Sequence, residues 1–145
     1  MYSIKVLEEE SKSDIAFEVE ADTLTELFEG AAIATMNVMV NLDTVKEEKE
    51  WFIEITSDSI EMLLFDFLSE LVFLKDAEEA IFKKFNINIK EKDDSSYVLK
   101  SKVWGEYINR ERHYLLTDVK AVTLFHFTVK KLENGNWYCY VLLDL

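Results

Sequence analysis

The chain has 145 residues, 49% of them hydrophobic and 13% aromatic, with no proline and a formal net charge of −13 at pH 7. That size and apolar content specify one folded domain with a substantial core, far from the composition of disordered chains. The charge argues against direct RNA or DNA binding, which needs a basic stripe to neutralise phosphates; it suits a cation, a basic protein surface, or simply a solvated acidic exterior.

Met1 to Leu7 reads as a short edge strand with Tyr2, Ile4 and Val6 on one side, ended by the acidic run Glu8-Glu9-Glu10, which begins a loop. From Asp14 to Glu20 the residues alternate: Ile15, Phe17 and Val19 face one way, Asp14, Ala16, Glu18 and Glu20 the other, so Asp14 opens a strand on its wet face. Thr23-Leu24-Thr25-Glu26 has the form of a capping box, and Leu24, Leu27, Phe28, Ala31, Thr35, Val38 and Met39 then recur at helical spacing. Asn41 is the expected stop, and the small residues Ala31, Ala32 and Ala34 predict close packing against a neighbour.

Val45 to Thr56 reads as a partly exposed strand with Trp51, Ile53 and Ile55 on one face. Ser57-Asp58 is the expected cap of a second helix carrying Ile60, Leu63, Leu64, Phe67, Leu68, Leu71 and Leu74, with Asp66 and Glu70 at its solvated polar border. Ala80 to Lys92 and Tyr97 to Trp104 form two further strands joined across the turn cluster Asp93-Asp94-Ser95-Ser96, and Gly105 to His113 is expected to be an irregular charged loop. The last segment reads as a β-hairpin, with Val119 to Lys131 and Asn136 to Leu143 turning through Leu132-Glu133-Asn134-Gly135, where Asn-Gly supplies positive φ. Trp137, Cys139, Val141 and Leu143 share one face of its second strand; Tyr138, Tyr140, Leu142 and Asp144 share the other. This order predicts an α+β fold, a two-layer sandwich with two helices packed on one face of a largely antiparallel sheet, over residues 1–145 as a single domain.

Cys139 is the sole cysteine, so no intrachain disulfide forms and an oxidising compartment is not implied; in an apolar strand its thiol is expected to be buried and inert. The start MYSIKVLEEE lacks the basic head and long apolar run of a signal peptide, and no later stretch reaches membrane-spanning length without charges. A soluble, cytoplasmic protein is expected.

Candidate chemistry is sparse. Asp144 stands beside the main-chain carboxylate of Leu145, and with Asp14 these groups could supply the clustered oxygens that hard cations such as Ca²⁺ or Mg²⁺ prefer; a solvated acidic surface is the commoner arrangement. His113, His126 and Cys139 are the nucleophile and base candidates, but nothing ties them together locally, and His126, alternating with apolar residues, reads as structural. No glycine-rich phosphate loop, nucleophile elbow or zinc-ligand spacing is present, so an enzyme is not expected. Lys120 is a lone cation beside Val119, Ala121 and Val122.

Taken in order, several stretches resemble the archease family. SDIAFEVEADTLTELFEGAAIATMNVMVNLDTV is similar to the family's Asp-Ile strand and first helix, and IEMLLFDFLSELVFLKD to its second helix. RERH followed by DVKAVT resembles its most recognisable signature, and the end Asp144-Leu145 its aspartate plus final hydrophobic residue. The resemblance implies a small α+β accessory protein of RtcB-type RNA ligases in tRNA splicing, promoting guanylylation and multiple turnover of the ligase without itself joining RNA. It implies a bound metal, usually described as calcium, with ligands carried over to Asp14, Asp144 and the Leu145 carboxylate, and places Lys120 on the partner-facing surface. Two stretches depart from the family: Ser11 stands where a histidine is usual, and Leu124 and Phe125 follow Thr123 where the family has Tyr-His, leaving His126 displaced. Two other readings use the same residues: a metal-dependent hydrolase activating water, and an acidic adaptor that binds a partner without metal.

Overall fold

The computed structural model describes residues 1–7 and 13–145, so the expected loop at Glu8 to Glu10 and the position of Ser11 lie outside the described residues. Seven strands and two long helices follow in the order β1 (Tyr2–Leu7), β2 (Asp14–Ala21), α1 (Leu24–Met39), β3 (Lys49–Ser57), α2 (Ile60–Glu78), β4 (Ala80–Glu91), β5 (Tyr97–Tyr107), β6 (Ala121–Lys131) and β7 (Trp137–Asp144). The expected α+β sandwich forms, with its strands divided between two sheets of order β1-β2-β7-β6 and β3-β5-β4, in which every neighbouring pair is antiparallel. Both helices contact strands of both sheets.

Local chemistry accounts for the helices. Thr23 is the N-cap of α1: its hydroxyl accepts from the Glu26 N–H at 3.2 Å and donates to the Glu26 carboxylate at 3.1 Å. Small residues then let the helix approach closely; a Cβ on Gly30 would lie 2.8 Å from Val19 Cγ1, so this turn seats directly on β2. The helix ends at Met39 with Val40 as C-cap, and Asn41 instead starts a short 3₁₀ turn by accepting from the Asp43 N–H at 3.0 Å. In α2 the cap is Ser59, accepting from the Met62 N–H at 3.2 Å, not Ser57-Asp58. Ser57 ends β3 and donates to Asp66 at 2.7 Å. The expected stripe of α2 is buried from Leu63 to Leu74, with Ile60 half-buried at its start, and Phe67 stacks on Phe28 of α1 with ring centroids 6.3 Å apart.

Three strand boundaries differ from the sequence reading by two residues or more. β3 starts at Lys49 rather than Val45, because Val45 closes the 3₁₀ turn and the Lys46 N–H is captured by the Glu106 carboxylate at 2.6 Å. β5 runs on to Tyr107 through Gly105, where an added Cβ would sit 1.8 Å from the Ile81 carbonyl oxygen; β4 bulges there, and only glycine permits that approach. β6 starts at Ala121, two residues after the expected Val119. The hairpin forms as expected, closed by Gly135 N–H to Leu132 C=O at 3.0 Å, but only Gly135 takes positive φ, at 88°, which makes the connection a turn followed by a glycine bulge.

Candidate functional site

β7 lies between β2 and β6, and its last residues are gripped from both sides. Asp144 is the register partner of Asp14 on β2 and of Ala121 on β6. The Lys120 N–H donates to the Asp144 carbonyl at 2.8 Å, and the Leu145 N–H donates to the Ser13 carbonyl at 2.8 Å. Three chain segments distant in sequence therefore converge on one end of the four-stranded sheet. Directly opposed residues of an antiparallel pair have Cβ atoms about 4.5–5.5 Å apart on the same face, and like charges there destabilise the pair. Asp14 is half-buried, Asp144 and Lys120 are exposed, and the Leu145 side chain packs against the core. Among the described residues no ion pair engages Asp14, Asp144 or Lys120.

The sheet end thus brings together the four residues to which the family resemblance pointed: Asp14, Asp144, Leu145 and Lys120. Among the described residues no group of three or more His, Cys, Asp or Glu side chains has metal-binding geometry. Among the described residues, the carboxylate side chains that this register sets side by side are those of Asp14 and Asp144, which offer oxygen donors only. An all-oxygen set of this kind fits a hard divalent cation and not the nitrogen- and sulfur-seeking metals.

Two further groups hold the segment leading into the site. Lys75, on the stripe of α2 and only 7% exposed, donates to Asp118 at 2.6 Å and to the Val119 carbonyl at 2.8 Å, and pairs with Asp76 at 2.5 Å. Burial alone would lower its pKa, but the bonds and charges of Asp118 and Asp76 outweigh that and raise it above the ordinary lysine value. Upstream, the 3%-exposed Glu106 receives Arg112 through both terminal nitrogens, His113 Nε2 at 2.8 Å and the Lys46 N–H. Because the Asn109 N–H donates to His113 Nδ1 at 2.8 Å, the His113 proton sits on Nε2 and points at Glu106. Within the RERH run His113 is therefore a buried strut, and Arg112 braces the same carboxylate from the exposed side. Sequence reasoning missed both anchors, although a lysine four residues after Leu71, on an apolar helix face, is itself a signal that an acidic partner waits across the core.

The histidines and the cysteine do not assemble. His113 is buried against Glu106, as a structural histidine should be. His126, which the sequence marked as structural, is instead exposed, in the left-handed region with φ 52° at a break in β6. Cys139 is fully buried, and burial pushes its thiol up to about 12, which makes it a poor nucleophile.

Fold and site define a small acidic α+β protein with a carboxylate-lined sheet end. Residues 7–145 match the profile of the Archease protein family. The protein archease of Pyrococcus furiosus is 35% identical over 136 residues, covering 94% of this chain and 95% of that protein, and that of Methanothermobacter thermautotrophicus is 40% identical over 133 residues, covering 92% and 93%. The solution structure of Methanobacterium thermoautotrophicum protein 1598 superposes with a TM-score of 0.82 at 34% identity over 98% of both chains. The crystal structure of an archease from Thermotoga maritima, described as a possible chaperone, shares the fold with a TM-score of 0.59 at 16% identity over 96% of both chains. The chain belongs to the archease family. No helix among the described residues is long and apolar enough to cross a membrane.

Proposed function

We propose that this protein is a non-catalytic accessory factor of an RtcB-type RNA ligase in tRNA splicing, promoting guanylylation and multiple turnover of the ligase. In this reading a divalent cation, Ca²⁺ by family resemblance, is held by Asp14, Asp144 and the carboxylate of Leu145, and Lys120 faces the partner. The observation that carries it is the register that sets Asp14 opposite Asp144 at the end of β7. A bound cation would relieve the repulsion between the two carboxylates and order the ends of three strands, giving the partner a rigid surface. The net charge of −13 supports action through a basic, RNA-binding enzyme rather than through RNA, because opposite potentials speed encounter. The cytoplasm, where tRNA processing enzymes of this kind work, is the compartment this role requires.

Two measurements test the reading. Ca²⁺ at a hundredfold excess over its dissociation constant should stabilise the wild-type protein by about 2.7 kcal/mol in thermal unfolding, and Asp144→Asn should abolish that response. Titrated into a purified RtcB-type ligase, the wild type should raise turnover in a chelator-sensitive way. Full stimulation by Asp144→Asn would remove the metal from the mechanism, stimulation indifferent to chelator would favour an acidic adaptor, and hydrolysis by the isolated protein would favour an enzyme.

A further inference from the structure

β6 is an edge strand, and its ladder to β7 breaks between Thr123, paired with Leu142, and Thr128, paired with Tyr140. Leu124, Phe125, His126 and Phe127 therefore stand opposite Val141 alone. Val122 and Val129 on either side both face the core, at 7% and 8% exposure, although they are an odd number of positions apart and a regular strand would send them to opposite faces. The excursion restores the register, and His126 completes it at φ 52°. In doing so it separates the apolar residues. Phe127 packs against the core and meets Phe65 edge-on at 5.7 Å, whereas Leu124 and Phe125 are each 59% exposed, with Phe125 packed only 4.1 Å from the His126 ring. Restoring register explains the bulge but not its composition, since polar residues would serve the turn equally well.

Position supplies the reason. Thr123 and Leu142 lie two residues along their strands from Ala121 and Asp144, so at about 3.4 Å per residue the bulge begins roughly 7 Å from the carboxylate pair. A partner seated on Asp14, Asp144 and Lys120 reaches it without a second contact area. We propose that Leu124 and Phe125 are the apolar anchor with which the protein docks beside its carboxylate pair onto a basic protein surface, the two side chains entering an apolar pocket rimmed by Lys and Arg. This rests on the ligase-accessory reading and names the contact surface of that same site. Charge selects the occupant: a chain of net charge −13 repels a second copy, an anionic lipid surface and nucleic acid, and attracts a cationic protein. The bulge itself also blunts β6 against strand-to-strand pairing with a second copy.

The test is the double variant Leu124→Ser/Phe125→Ser, with Phe125→Ala as a milder companion. Both positions are exposed, so melting temperature and the response to Ca²⁺ should match the wild type. Affinity for the purified ligase, measured by interferometry at low and at moderate salt, should fall at least roughly tenfold at both, as expected for an apolar anchor at an interface centre. Wild-type affinity in these variants, alongside weakened binding by Asp144→Asn, would overturn the anchor while leaving the accessory role standing. A wild-type protein that does not bind the ligase would overturn both. A wild-type dimer that the double variant dissolves would identify the patch as a self-association surface and overturn the basic partner.

Discussion

Replacing Glu106 with Gln probes how the segment before the site is held. Burial alone would raise the pKa of this carboxyl, but the hydrogen bonds from Arg112, His113 and the Lys46 backbone outweigh it and hold the group at about 2, against an ordinary value of 4.5. At 1.36 kcal/mol per pH unit, that gap amounts to about 3 kcal/mol by which the fold favours the ionised form. Because the folded value is depressed, the stabilisation is fully present above pH 4.5 and is lost as pH falls from there through about 2. Gln keeps one acceptor oxygen but turns an NH₂ toward donors and leaves Arg112 without its counter-charge, so a loss of about 3 kcal/mol is expected at neutral pH, at the lower end of what breaking a buried pair typically costs. Urea unfolding of wild type and Glu106→Gln at pH 7, 5 and 3 measures it. The difference between the two proteins isolates this carboxylate from the others, and it should shrink toward acid. A variant within about 0.5 kcal/mol of wild type at pH 7, or a difference unchanged down to pH 3, would refute the account of Glu106 as the strut of the RERH run.

Two smaller predictions follow from backbone and burial. Glu79 closes α2 in the left-handed conformation, φ 54° and ψ 37°, where a side chain is strained; Glu79→Gly should gain about 0.5–1 kcal/mol in urea unfolding, the exposed pair with Arg110 contributing little against it, and a loss of stability would contradict this. Cys139 should resist a thiol reagent such as Ellman's in the native protein at pH 8 and react with one equivalent once denatured; rapid native labelling would show that β7 opens far more readily than its burial allows.

Short-range patterns were enough for much of the architecture. The alternation from Asp14 to Glu20, the Thr23–Glu26 box, the apolar stripe of α2 and the Asn-Gly hairpin each state their own structure, because period and turn chemistry are properties of a few adjacent residues. The same alternation assigned Asp14 and Asp144 to the outer faces of their strands. That these two residues are partners, that the strands divide into two sheets, and that Glu106 gathers Lys46, Arg112 and His113 were decided only by packing, since each joins groups whose spacing along the chain carries no periodic signal. His126 shows the limit most directly: its apolar neighbours predict an ordinary strand position, but keeping both Val122 and Val129 in the core forces an excursion between them, and the histidine takes the exposed, left-handed turn that the register requires.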